Sequence, residues 1–337
     1  MLPVRIGVVG AGVVGLCTAV NVQQLLPHAW VTIIADNFSE ETTSDGAGGL
    51  FRPTAEFIKG VPPDTIKQWT RDSAEYFMKI AASADAGKFG VFPMSGYHLL
   101  NREVNPEYKS LVYSFRQLTP EELQKLGTTY SNGYAITTLI VEPRKYMAFL
   151  MTEFRKNGGQ SQKRTLHSLE ELVGQFDVVV NCSGMRSRWL VNDPLVYPVR
   201  GQIIKINAPW IKSFIYTDDD AYIIPRGEDV VLGGVRHTND FSTEIREQDK
   251  QGILDRCARL IPSVKKAEIV KDWAGLRPHR DPVRLETENM KFKSGDLQVV
   301  HNYGHGGNGI ALSWGVGVHA SKLVKDYLAK SRPMSRL

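Results

Sequence analysis

VVGAGVVGLC, residues 8–17, places Gly10, Gly12 and Gly15 in GxGxxG spacing between an apolar run and a helical pattern. Residues 4–9 read as a strand buried on both faces, and residues 13–26 as a helix stopped by Pro27. A second apolar, β-rich run over residues 30–35 completes a βαβ unit. In such a unit the first glycine permits the tight turn, the second lets a pyrophosphate approach the backbone, and the third brings helix against strand. Asp36 ends the second strand 21 positions after Gly15, where a carboxylate accepts hydrogen bonds from adenosine ribose hydroxyls. The spacing alone is weak and also fits a structural turn. With strand, helix and acid in place it predicts an adenine dinucleotide without a 2′-phosphate, held by Gly10, Ala11, Gly12, Val13, Val14, Gly15 and Asp36.

Outward from this unit the chain does not continue as a plain series of βα repeats. Residues 37–63 are a long polar, glycine-rich stretch containing TTSDGAGGLFRP, too long for an ordinary connection and therefore a candidate functional loop. Ile66, Trp69, Ser73, Phe77 and Ile80 then repeat at helical spacing. Strand patterns over residues 91–100 and 134–141 flank a short helix that opens on the capping box Thr119-Pro120-Glu121-Glu122. A helix over residues 143–156, stopped at Gly158-Gly159, precedes the apolar strand DVVVN (177–181), which returns to the first domain. Residues 198–235 read as alternating antiparallel strands, residues 297–301 as a strand, and residues 310–328 as a closing helix after the glycine turn GHGGNG.

The 337 residues, 42% hydrophobic, suffice for two interleaved domains. The formal charge of +5 comes from 41 Lys and Arg dispersed among 36 acids, with no basic run, so no nucleic-acid partner is expected. No apolar run is long enough to span a membrane. Cys17, Cys182 and Cys257 are far apart in apolar surroundings, which suits reduced core thiols and neither disulfides nor a metal centre. A permanently held flavin needs loops from distant segments to enclose its ring, and the interleaving supplies them. FAD is thus the expected cofactor, with an NAD-dependent dehydrogenase as the other reading.

The segments GAGVVGL, TTSDGAGGL (42–50), DVVVNCSG, PVRGQ (198–202), YIIP (222–225), LGGVR (232–236), GLRP (275–278) and HNYGHGGNGIALSWG (301–315) together resemble the D-amino-acid oxidase and D-aspartate oxidase family. The resemblance covers nearly the whole chain in order. It implies an α/β fold in which a Rossmann-type FAD-binding domain (1–60, 144–195 and 285–337) is interleaved with an antiparallel β-sheet substrate domain (61–143 and 196–284). It implies hydride transfer from the substrate α-carbon to flavin, giving an imino acid that hydrolyses to a 2-oxo acid and ammonia, while dioxygen reoxidises the flavin to yield hydrogen peroxide. No side chain is assigned as an essential acid or base, and His305 is read as a structural hydrogen-bonding residue.

By the same resemblance, Arg277 and Tyr222 hold the substrate carboxylate, Arg277 through the forked geometry of a guanidinium. Thr43, Ser44, Gly48, Gly49 and Leu50 match the loop around flavin and pyrophosphate. Ser183 matches a third strand end, and Leu166 an adenine contact. Gly306, Gly307, Asn308, Gly309, Ile310 and Ala311 match the second glycine segment, with Gly307 also facing substrate. Arg236 occupies the position where D-aspartate oxidases carry a side-chain-reading arginine, which favours acidic D-amino acids. Tyr216 and GHGGNG stand closer to the neutral-preferring type, leaving neutral or basic substrates as the alternative. Arg52 departs from both patterns and is either a solvent-facing loop residue or a replacement for a missing cation in the pocket. The run Asp218-Asp219-Asp220 reads as an exposed turn that lies on the expected lid, where it would disfavour acidic ligands during entry. Ser335-Arg336-Leu337 is a near match to a peroxisomal targeting tripeptide, so the peroxisomal import receptor is an expected partner beside the D-amino acid and O2. Assembly into a homodimer is left open.

Overall fold

A computed structural model describes residues 3–55 and 58–331; Ser335, Arg336 and Leu337 lie outside the described residues. Strand β1 (Arg5–Ala11) runs into helix α1 (Val13–Leu25), and β2 (Trp30–Phe38) returns parallel to β1 with Arg5 beside Trp30. Helices α2 (Pro63–Ala81) and α3 (Ala86–Phe89) lead to β3 (Val91–Leu100), β4 (Ser114–Gln117), the short α4 (Pro120–Lys125) and β5 (Asn132–Val141). Helix α5 (Pro143–Lys156) brings the chain back to β6 (Gln160–Lys163) beside β2, and β7 (Val178–Asn181) lands on the other side of β1. After α6 (Ser187–Leu190) come β8 (Tyr197–Asn207), β9 (Phe214–Thr217), β10 (Tyr222–Pro225), β11 (Val230–Gly233) and β12 (His237–Thr238). Helix α7 (Glu247–Leu260), strands β13 (Glu268–Phe292) and β14 (Gly295–His305), and helix α8 (Gly309–Ser331) complete the described chain.

Among the described residues the strands join in one order, β4-β5-β3-β9-β10-β11-β8-β13-β14-β7-β1-β2-β6, with β12 on β8. The stretch β14-β7-β1-β2-β6 is parallel, which explains the unbroken apolar reading of β1 and β7. Ile6, Val8, Val178, Val180 and Val300 face a helical layer with Leu16 of α1, Phe77 of α2, Leu150 of α5 and Val324 of α8. The alternate residues Val9, Ile34, Val179 and Val299 pack on Leu166, Leu169 and Leu172. All five residues of the expected stripe on α2 are buried. Thr119 caps α4 as the sequence predicts: its Oγ1 accepts from the Glu122 N–H at 3.3 Å, and the Thr119 N–H donates to Glu122 Oε2 at 2.9 Å.

Beyond the short elements α3, β4, β6, α6 and β12, which the sequence reading does not contain, the structure differs from it in two long elements and one pattern. Residues 198–207 do not alternate; β8 is buried on both faces, Ile203 against Ile224 and Val231, and Ile204 and Ile206 against Ile253 and Cys257 of α7. Helix α7 escapes the sequence because Ile253 and Cys257 alone are buried in it, too few to set a period. Strand β13 escapes it because Pro278 and Pro282 interrupt a charged, weakly alternating segment. Its first half pairs antiparallel with β8 as far as His279, its second half with β14 from Arg284, and the register breaks between the two around a cis Asp281-Pro282 bond. This one strand thus joins the antiparallel strands to the parallel ones. Cys17, Cys182 and Cys257 are free and buried, and burial pushes each thiol up to about 12. No described helix is long and apolar enough to cross a membrane.

Candidate cofactor and substrate site

A cavity of about 380 Å³ opens where β1, β7 and β14 end, and every residue assigned to the site from sequence lines it except Gly15. Gly10 has φ +109°, and a Cβ there would lie 2.4 Å from the Cys182 carbonyl oxygen, so the turn admits no side chain. Gly15 serves the same turn from behind, because its Cβ would lie 2.0 Å from the Gly10 carbonyl oxygen. It sets the approach of helix to strand and does not face the ligand. The N-terminal end of α1, with its unsatisfied N–H groups and positive partial charge, therefore opens on a wall of bare backbone, which fits a pyrophosphate.

The loop TTSDGAGGL crosses this end. Ser44 Oγ accepts from the Val13 N–H at 3.1 Å, and a Cβ on Gly49 (φ +81°) would meet the Val141 carbonyl oxygen at 2.3 Å. Asp45, between them, is buried and accepts from Arg144 Nε and Nη2 at 3.0 Å each, with Lys205 Nζ 3.8 Å away. Burial raises its carboxyl, but Arg144 and Lys205 outweigh that and hold it below the usual range. A lowered native pKa stabilises the fold above about pH 4, and the contribution is lost as pH falls through it. Asp45→Asn is therefore expected to cost about 2 kcal/mol at pH 7, the exposure of Arg144 tempering a buried pair. Thermal unfolding of both proteins at pH 7 and pH 3 checks this, since the gap between them should narrow in acid; an equal gap at both pH values would contradict it.

Asp36 reaches the cavity, but not alone: Arg186 Nη1 donates to its Oδ2 at 2.5 Å, and Arg186 Nη2 donates to the Leu166 carbonyl at 3.1 Å. Ser183 lines the wall while its hydroxyl donates to Asn181 Oδ1 and shares a hydrogen with Ser187 Oγ, both at 2.7 Å. The Asn308 carboxamide is likewise committed: Oδ1 accepts from the Thr54 N–H at 3.0 Å and Nδ2 donates to the Thr54 carbonyl at 3.1 Å. It clasps the second glycine segment to the first loop. His305 is buried, and its Nε2 has no partner among the described residues. Burial pushes that imidazole down to about 4, so it stays neutral at physiological pH.

At the antiparallel end, β13 delivers Arg277 and β10 delivers Tyr222. Arg277 Nη1 donates to the Val235 carbonyl at 3.1 Å and the Arg200 carbonyl at 3.4 Å, and among the described residues its other donors remain for a ligand. A Cβ on Gly201 would lie 2.5 Å from the guanidinium, so that glycine clears its place. The Tyr222 ring lies on the backbone of Gly233 and Gly234, where a Cβ would meet it at 2.0 and 2.8 Å, and it stacks on Tyr216 at 5.8 Å. Arg52 is not solvent-facing; its guanidinium sits 3.8 Å over the Tyr216 ring. Arg236 donates through Nη2 to the Tyr216 hydroxyl at 3.0 Å and through Nε to Asp220 Oδ1 at 2.6 Å. In the acidic run Asp218 and Asp219 are exposed, while Asp220 is half-buried and pairs with Arg236 of the cavity wall. Asp220, Arg186 and Trp273, whose ring covers Gly46, carry no sequence signal of their own.

A cradle for an ADP moiety that opens, through one cavity, onto guanidinium donors for a carboxylate defines a class of oxidoreductase that sets a dinucleotide's reactive ring against a small acid. The family model described as DAO, FAD dependent oxidoreductase, matches residues 5–323, and the chain belongs to that family. FAD is its cofactor. The D-aspartate oxidase of Homo sapiens is 41% identical over 326 residues, 96% of this chain and 95% of that protein. A D-amino acid oxidase of Dugesia ryukyuensis is 36% identical over 335 residues, 97% and 99% of the two chains. Among solved structures, glycine oxidase from Geobacillus kaustophilus superposes with a TM-score of 0.78 at 19% identity, covering 96% of this chain and 95% of that one, a likeness of fold.

Proposed function

We propose that the chain oxidises D-amino acids with a preference for acidic ones, D-aspartate and D-glutamate, to the 2-oxo acid, ammonia and hydrogen peroxide. The observation that carries this reading is the gathering of Arg277, Arg236 and Arg52 around Tyr216 and Tyr222, with Asp220 as the carboxylate paired there. A dicarboxylate supplies the charge that such a pocket lacks, and an apolar side chain leaves it uncompensated.

Bound FAD supplies the acceptor for the α-hydrogen with its electron pair and hands the electrons to O2. Arg277 and the Tyr222 hydroxyl fix the α-carboxylate, which orients the α-carbon. Burial raises the Tyr222 hydroxyl, Arg277 and Arg236 opposing, so it stays protonated and donates to the carboxylate. His305, neutral and enclosed, brings no charge to the cavity wall. The pairing of Arg236 with Asp220 favours the other reading, neutral or basic D-amino acids, because it cancels one cation.

Peroxide release measured across acidic, neutral and basic D-amino acids and glycine decides between them. D-aspartate is expected to exceed D-alanine in kcat/KM by about tenfold, the worth of one partly screened ion pair. Arg236→Ala removes a cation and strands the Asp220 carboxylate beside the pocket, so it should weaken D-aspartate more than D-alanine; equal losses would show that the charge of the Arg236–Asp220 pair does not bear on the side chain. The terminal Ser335-Arg336-Leu337 supports a peroxisomal destination through the import receptor. Removing the three residues should leave a tagged protein in the cytosol; unchanged location would refute the assignment.

A further inference from the structure

Two of the three acids in the turn between β9 and β10 are spent on anchoring it. Asp218 Oδ2 accepts from the Asn101 N–H at 3.2 Å, and Asp219 accepts from the Tyr130 hydroxyl at 2.7 Å and from Thr217 Oγ1. Asp220 follows at φ +64°, a left-handed conformation that aspartate tolerates, and its carbonyl accepts from the Gly234 N–H at 2.6 Å. The turn so held directs the Asp220 carboxylate onto Arg236 Nε. Arg52, across the Tyr216 ring, has no ion pair with any described carboxylate. The two pocket arginines are therefore unequal, one neutralised by the protein and one not.

Resting on the proposed preference for acidic substrates, we infer that Asp220 is an internal counter-ion that occupies Arg236 and leaves Arg52 as the cation receiving the substrate's side-chain carboxylate.

The groups around Arg52 report the uncompensated charge. Burial pushes the Tyr216 hydroxyl up, but Arg52 and Arg236 outweigh it and bring it below its usual value. His98, edge-on to Tyr216 at 5.6 Å, is pushed down to about 3 by burial, then by Arg52 and Arg102. Asp220 and Arg236 keep 35% and 27% of their side chains exposed, so neither is locked in a dry core and the carboxylate is open to replacement. Asp220 therefore acts on specificity through Arg236, by withholding it.

The test is the ratio of kcat/KM for D-aspartate to that for D-alanine, measured by peroxide release on FAD-loaded protein whose visible flavin spectrum matches the unsubstituted chain. Asp220→Asn releases Arg236 and should raise the ratio roughly five- to tenfold, mainly through KM for D-aspartate. Arg52→Gln should lower it by a similar factor. A ratio that falls in Asp220→Asn would make Arg236 the anchor and Asp220 its support, overturning the inference, and so would a ratio unmoved by Arg52→Gln. An unsubstituted chain that oxidises only neutral substrates would defeat the proposed function instead. In that case a gain of D-aspartate turnover in Asp220→Asn still upholds the counter-ion.

Discussion

Arg277→Ala is expected to lower kcat/KM for the best D-amino acid about a thousandfold while the protein still purifies with FAD. A forked pair of charge-assisted hydrogen bonds is worth roughly 4 kcal/mol, and about 1.4 kcal/mol corresponds to tenfold. The loss falls on kcat as well as KM, because a carboxylate held only by Tyr222 no longer fixes the α-carbon. Arg277→Lys keeps the charge but not the fork, and should recover only part of the loss. Gly201→Ala should reproduce the defect in milder form, since its Cβ would press on the guanidinium from 2.5 Å. Anaerobic bleaching of the flavin by D-aspartate and D-alanine measures each step. Bleaching of Arg277→Ala at the unsubstituted rate and saturation would remove Arg277 from the site.

The second large effect belongs to a residue that touches no ligand. Gly15→Ala would put a methyl group 2.0 Å from the Gly10 carbonyl oxygen and 2.9 Å from its carbon. The methyl group meets main chain there and has no rotamer that relieves the clash, so α1 must shift from β1. Overpacking of this kind costs about 3 kcal/mol or more. The same shift carries away the N–H groups at the start of α1 that would hold the pyrophosphate, so the variant should purify colourless with a lowered Tm. Gly87→Ala, in α3, where a Cβ meets nothing within 4 Å, is the matching surface substitution and should stay yellow. A yellow Gly15→Ala with unchanged Tm would show that the turn has slack.

The inner parallel strands β1 and β7 were legible in the sequence because burial on both faces leaves an unbroken apolar run, as in IGVV and DVVVN, and the glycine spacing marked the turn from β1 into α1. Strand β6, polar and exposed at the edge, left no such run. Helix α2 was legible through its stripe, α4 through its cap. Strand β13 was not, because its pairing depends on β8 and β14, which sit on opposite sides of it and supply what its own residues lack. In the site, residues that match family segments could be placed by number, but their electrostatic company could not. Asp220 and Arg236 are 16 positions apart, Asp36 and Arg186 are 150, and no local pattern marks either pair. Arg52 shows the same limit from the other side: the sequence left it open between a solvent-facing loop residue and a pocket cation, and Tyr216 of β9 beneath its guanidinium decides for the pocket.

The length of β13 has a mechanical consequence. At 25 residues it is a tie-rod through the molecule, laced to β8 along one half and to β14 along the other. Separating the antiparallel from the parallel part of the sheet at either seam would tear a full row of hydrogen bonds, so relative motion of the two parts is confined to the register break between His279 and Arg284. Amides of β13 should accordingly be among the slowest to exchange with solvent deuterium, and traffic of substrate and product is left to the short turns at the rim.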